Sequence, residues 1–157
     1  MAVELTRDES IYTLHLGASE NRFSLAALDE IALALDEVAA NAPAALVTTA
    51  SGKFFSNGLD LEWLIANSDE AAMYVGRIHD LLARMCAFGT PTVCAVNGHA
   101  FGAGAMFAMA HDFRVMRRDR GFFCFPEVDI NIPFTPGVAA LIQAKISPQT
   151  AVGAMTP

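Results

Sequence analysis

The sequence predicts an α/β fold, and three observations carry that expectation. Apolar runs of strand length alternate along the chain with stretches whose apolar residues recur at helical spacing. The strands read as continuously apolar rather than half polar, which implies parallel pairing with helices covering both faces of the sheet. Two of the runs lead directly into glycine-bearing turns. With 157 residues, 54% of them hydrophobic and 17% charged, the chain suits one domain over 1–157 with a sizeable core. It contains no internal repeat and no low-complexity linker.

From Ile11 to Leu16 the apolar side chains of Tyr12, Leu14 and Leu16 alternate with Thr13 and His15, the pattern of a half-buried strand. Asn21 to Ser24 end that region. Ser24 can cap a helix that carries Leu28, Ile31, Leu35 and Val38 on one face, and Asn41-Ala42-Pro43 stops it. Ala45 to Thr49 reads as a buried strand. A second long helix is expected from Ser68, with Asp69 and Glu70 in its first turn and Val75, Ile78, Leu82 and Met85 facing inward. Gly89 and Pro91 close it. Strand Thr92 to Val96, a glycine-rich turn, a short helix through Ala110, and strands near Phe113–Met116 and Phe122–Phe125 complete the reading.

The charge balance excludes several classes. Ten basic against 17 acidic residues give a net charge of −7, and no Lys/Arg run is present that could neutralise a row of phosphates, so nucleic acid is not an expected partner. The N-terminus carries Glu4, Asp8 and Glu9 and does not read as a secretory signal. Met85 to Ala110 lacks charge, but Pro91, Asn97, His99 and four glycines punctuate it as strand, turn and helix, so a soluble protein without a membrane segment is expected. Cys86, Cys94 and Cys124 have neither disulfide nor zinc spacing and read as reduced, buried thiols, which suits the cytoplasm. No metal and no separate cofactor is expected.

Three segments can carry chemistry. In the first, residues 51–61, Gly58 permits a backbone bend that exposes neighbouring N–H groups. The second, Asn97 to Gly104, follows a strand and opens a helix, where unpaired N–H groups and the positive end of the helix dipole gather. Two such turns can converge on one oxygen, although each glycine run alone fits a tight structural turn equally well. The third, Phe122 to Phe134, sets Glu127 and Asp129 among apolar residues. Burial there raises a carboxyl pKa toward neutrality, as a general base requires, while a hydrogen-bonded structural acid fits the same pattern. His15, His79, His99 and His111 read as structural, because no cluster has ligand or triad spacing.

The runs SGKFFSNGLDLEW (51–63), PTVCAVNGHA (91–100), HDFRVMRRDRG (111–121) and PEVDI (126–130) resemble, in this order, the crotonase (enoyl-CoA hydratase/isomerase) family. Within it they are most similar to the plant-type peroxisomal delta(3),delta(2)-enoyl-CoA isomerases. The resemblance implies the ClpP/crotonase spiral of ββα units and an acyl thioester of coenzyme A as the substrate. It implies that Leu59 N and Ala103 N form an oxyanion hole, that Ser56, Asn57, Gly58, Asp60 and Leu61 line the coenzyme A path, that Gly102, Gly104 and Met106 also bind the substrate, and that Glu127 is the base. Arg22 and Lys53 are the candidates for the phosphates.

Hydratases of the family use a second glutamate at the position of Met106, and a thioether can neither give nor take the proton of an attacking water. The resemblance therefore favours double-bond isomerisation, with hydration, another crotonase-type reaction or silent acyl-CoA binding as alternatives. Family members continue into further helices and assemble as trimers or hexamers. The C-terminal helical part is thus expected to be missing here, and a homo-oligomer is expected.

Overall fold

The structure is a computed structural model that describes residues 2–156. Its chain repeats one unit, two strands followed by a helix. Strands β1 (Glu4–Asp8) and β2 (Ile11–His15) lead into helix α1 (Leu25–Ala40). Strands β3 (Ala45–Thr49) and β4 (Phe54–Ser56) lead into α2 (Leu61–Ala66) and α3 (Ala71–Cys86). Strands β5 (Thr92–Val96) and β6 (His99–Phe101) precede α4 (Ala103–Ala110). Strands β7 (Phe113–Met116) and β8 (Phe123–Cys124) precede α5 (Pro136–Lys145) and α6 (Pro148–Met155).

The first strand of each unit joins a five-stranded sheet, ordered β1-β2-β3-β5-β7, parallel except for the β1-β2 hairpin. The second strand of the later units joins a parallel three-stranded sheet, β4-β6-β8. Each of the three later units therefore steps from one sheet to the other before its helix returns, which is the expected spiral.

The expected strands at 45–49, 92–96 and 113–116 match β3, β5 and β7, and Ser24 caps α1 by accepting from Ala27 N at 3.3 Å. Four differences have physical reasons. Ser68–Glu70 form a 3₁₀ turn and α3 begins only at Ala71; its inner face is Tyr74, Ile78, Leu81, Leu82 and Met85, with Val75 half-buried. Strand β1 is a charged edge without apolar alternation, and β4 and β6 are three-residue strands inside the glycine segments, so none had a periodic signal.

Helices do not cover both sheet faces. Tyr12, Leu14, Leu46, Thr48, Thr92, Cys94 and Val96 are buried on one face, while Ile11, Phe113 and Val115 on the other are 49%, 64% and 65% exposed. Only Cys94 of the three thiols is buried; Cys86 is exposed and Cys124 is half-buried. Among the described residues no helix is long and apolar enough to cross a membrane.

Helix α4 lies at the centre, and all eight of its residues are buried. Phe107 meets Phe23 edge-on at 5.5 Å and His111 at 5.0 Å. His111, fully buried, directs Nδ1 at the Phe107 carbonyl oxygen at 2.8 Å, so Nδ1 carries the proton; Nε2 then accepts from Thr48 Oγ1 at 2.8 Å. This ring must stay neutral. Burial, reinforced by Arg114 and Lys145, pushes its pKa down to about 4.

Between the ordinary value of 6.5 and about 4, the unfolded chain binds a proton here that the folded chain does not, so stability falls as pH falls through that window. The loss reaches roughly 3 kcal/mol. Urea denaturation at pH 7 and pH 4.5 should show a larger drop for the native protein than for His111→Gln; parallel pH dependence would contradict this account.

Candidate active site

Two backbone bends meet beneath the N-terminus of α4. At Gly58 the chain turns with φ +80°, and a Cβ there would lie 2.7 Å from the Phe101 carbonyl oxygen and 3.2 Å from Ala103 N. At Gly102 the chain turns with φ +50°, and a Cβ there would lie 2.9 Å from Glu127 Oε1. Both values exclude a side chain on steric and conformational grounds. The two bends and the Glu127 carboxyl are therefore mutual neighbours.

Side chains satisfy the amides that flank the first bend. Gly58 N donates to Ser56 Oγ at 3.1 Å, and Asp60 N donates to Tyr74 Oη at 2.8 Å. Ser56 Oγ itself donates to the Asn21 carbonyl at 2.8 Å, and Asn21 Nδ2 donates to the Gly17, Phe54 and Phe55 carbonyls. Between these two anchored amides, Leu59 N donates to no protein acceptor among the described residues.

The second bend repeats this arrangement: Gly102 N donates to the Cys124 carbonyl at 3.1 Å, while Ala103 N, the first amide of α4, likewise has no acceptor among the described residues. Unpaired amides are the chemistry that can meet a partly negative oxygen, and the one at Ala103 lies at the positive end of a helix.

Glu127 sits in a turn closed by the bond from Ile132 N to its own carbonyl at 2.8 Å. It is 7% exposed, and Oε2 has no hydrogen-bond partner. Desolvation holds its pKa above the usual carboxylate range. A buried carboxyl oxygen left unpaired is costly for folding. Asp129, the other acid of this segment, is exposed and does not share that environment.

Two clefts open on these groups. One, of about 230 Å³, is lined by Asn57, Leu61 and Gly102 with Arg22, Glu62, Phe101 and Ile130. The other, of about 60 Å³, is lined by Met106 with Val75, Ile78, His79 and Phe134. Leu59, Ala103, Glu127 and Ile132 line both, so the residues that carry the free amides and the carboxyl are shared by the two clefts.

Ser56, Gly58, Asp60 and Gly104 line neither cleft. Ser56 holds Gly58 N, Asp60 caps α2 through Trp63 N, and Gly104 packs against Ser56. Arg22 faces the larger cleft but is paired with Glu20 at 2.6 Å and Glu62 at 3.0 Å. Lys53 lies outside both clefts, over the Phe54 ring. His79 lines the smaller one, bonded to Thr135.

Sequence reading missed Tyr74. Its buried hydroxyl donates to the Phe23 carbonyl at 2.6 Å while accepting from Asp60 N, and so ties α3 to the first bend. A tyrosine on the inner face of a helix needs a partner for its hydroxyl, which was the available signal. No group of residues suited to hold a metal ion exists among the described residues.

The sequence matches the family model described as Enoyl-CoA hydratase/isomerase over residues 6–156. It is 34% identical over 146 residues to Enoyl-CoA delta isomerase 1, peroxisomal, of Arabidopsis thaliana, covering 90% of this chain and 61% of that protein. It is 32% identical over 136 residues to 2,3-dehydroadipyl-CoA hydratase of Escherichia coli, covering 85% of this chain and 52% of that one. The chain thus spans about half to three-fifths of these curated relatives. An enoyl-CoA hydratase/isomerase family protein from Pseudomonas syringae shares the fold with a TM-score of 0.90 at 23% identity, over 98% of this chain and 66% of that one.

Tyr74→Phe should cost about 1–3 kcal/mol, because it leaves the Phe23 carbonyl and Asp60 N without their buried partner. Trp63, whose ring centroid is 5.2 Å from that of Tyr74, reports on the same region. Denaturation followed by tryptophan fluorescence checks the loss, and an unchanged midpoint would show that the hydroxyl anchors nothing.

Proposed function

Because this chain belongs to the enoyl-CoA hydratase/isomerase family, we propose that it moves a double bond in an enoyl-CoA, converting 3-enoyl into 2-enoyl thioesters. Glu127 removes a proton from C2, and the electron pair of that C–H bond spreads into the thioester carbonyl and the C3–C4 double bond. The resulting dienolate places negative charge on the carbonyl oxygen, between Leu59 N and Ala103 N. Each well-aimed amide donor contributes about 3 kcal/mol to such a charge and needs no reorganisation. The proton then returns at C4, a double bond forms between C2 and C3, and Glu127 is a carboxylate again.

One observation carries the choice of reaction: among the described residues Glu127 is the only carboxylate lining the smaller cleft, which Met106 also lines. Proton shuttling between two carbons needs one base. Addition of water needs a second group to hold and deprotonate it, and a thioether supplies none. The similarity to a bacterial hydratase supports hydration as the competing reading, and the same assay separates the two.

Purified protein given 3-enoyl-CoA should produce 2-enoyl-CoA faster than it hydrates 2-enoyl-CoA. Glu127→Gln should lower isomerisation roughly 10³-fold. Since the carboxylate form is the base and its pKa is raised, kcat/KM should fall as pH drops through a value above the ordinary glutamate range. Faster hydration, or full activity in the glutamine variant, rules out this mechanism.

A further inference from the structure

A groove of about 290 Å³ is walled by residues of β7, the end of α4 and helix α6, and it shares no lining residue with either catalytic cleft. Met109, Met116, Phe123, Phe125 and Ile146 make its wall apolar, and Arg114 is the only charged residue that lines it among the described residues. Strand alternation along β7 places the arginine there: Phe113 and Val115 are exposed on one face, while Arg114 and Met116 are half-buried on the other. A cation in an apolar wall needs a compensating partner.

The protein supplies only part of one. Arg114 Nη1 donates to the His111 carbonyl at 2.8 Å and to the Met109 carbonyl at 3.3 Å, as cations do at the C-terminal end of a helix. Lys145 Nζ donates to the same His111 carbonyl at 3.2 Å, so two cations share one neutral acceptor. The adjacent acid, Asp112, directs its Oδ2 at Thr92 N and Thr92 Oγ1, at 2.8 and 2.9 Å. Among the described residues no carboxylate forms an ion pair with either cation, and Arg114 Nε and Nη2 donate to no protein acceptor. Helix capping accounts for Nη1 and for Lys145 Nζ, and it leaves the rest of the guanidinium fork unused.

We propose that the groove binds a free monocarboxylate with an apolar body, of the medium-chain fatty-acid class, with its carboxylate paired to Arg114 and its tail against Met109, Met116, Phe123 and Phe125. Charge complementarity selects this occupant, because a guanidinium presents a planar fork of donors that fits a carboxylate. The rest of the wall is apolar apart from Thr150, whose hydroxyl is bonded to Ser147 Oγ at 2.8 Å. The volume lies at the lower end of the roughly 300–1,000 Å³ of small-molecule pockets, which suits one short amphipathic molecule. The proposal is independent of the acyl-thioester reading, since it uses none of the groups at the catalytic clefts.

Isothermal titration calorimetry with octanoate and with octan-1-ol, which shares the tail and lacks the charge, tests it. The native protein should bind octanoate at least about tenfold more tightly than octan-1-ol, the contribution of a charge-assisted pair. Arg114→Met should bring octanoate down to the level of octan-1-ol. Thr150→Trp, a larger side chain at an exposed position of α6 that lines the groove, should weaken both ligands about tenfold or more, and it decides the matter if the arginine variant folds poorly. Equal affinity of the native protein for the two ligands, octanoate binding indifferent to both substitutions, or displacement of octanoate by butanoyl-CoA overturns the proposal. So does self-association without octanoate binding, if sedimentation shows that Thr150→Trp abolishes it, because the groove then belongs to a second copy of this chain.

Discussion

The Gly58 bend packs against the start of α4 so closely that a Cβ there would lie 2.7 Å from the Phe101 carbonyl oxygen and 3.2 Å from Ala103 N. That contact joins two ββα units that are distant in sequence, and much of the site depends on it. Leu59, Ala103 and Glu127 line the same two clefts, and a Cβ at Gly102, just before the helix, would lie 2.9 Å from Glu127 Oε1. Such an approach is possible only because Gly58 carries no side chain.

Around this contact, side-chain hydrogen bonds anchor the main chain on either side of the unpaired Leu59 amide. Ser56 Oγ and Tyr74 Oη occupy the amides on either side of Leu59, and Asn21 braces three carbonyls behind them. Rigid neighbours are what allow an unpaired amide to persist without turning inward to find an acceptor. The Glu127 carboxyl is treated the same way: its main chain is locked by Ile132 N while its Oε2 is left unpaired. The three unpaired groups, two amides and one carboxyl oxygen, thus belong to residues that line the same clefts.

The repeating unit explains how so short a chain builds this arrangement. Strands β3 and β5 lie side by side in the large sheet, and β4 and β6 lie side by side in the small one, with Leu46 opposite Thr92 and Phe54 opposite His99. The loops that follow β4 and β6 are consequently adjacent, at one end of the small sheet. Strand β8 pairs with β6 on its other side and delivers Glu127 three residues after Cys124. Site geometry is thus inherited from strand order, while the buried α4 supplies the floor.

Local chemistry alone determined much of this molecule. The Ser24 cap, the apolar strands at 45–49 and 92–96, the two glycine bends and an acid within an apolar segment are all short-range patterns, and each matches the element found. Tertiary structure decided what depends on distant neighbours. It made Glu127 buried and Asp129 exposed though they are two residues apart, because only the turn closed by Ile132 directs one inward. It assigned Ser56 and Tyr74 to hold the first bend, recruited three-residue strands into a second sheet, and left one sheet face open. Burial and hydrogen-bond partners are properties of residues far apart in the chain, so no local pattern encodes them; backbone bends and caps are fixed within a few residues, and for that reason they can be read directly.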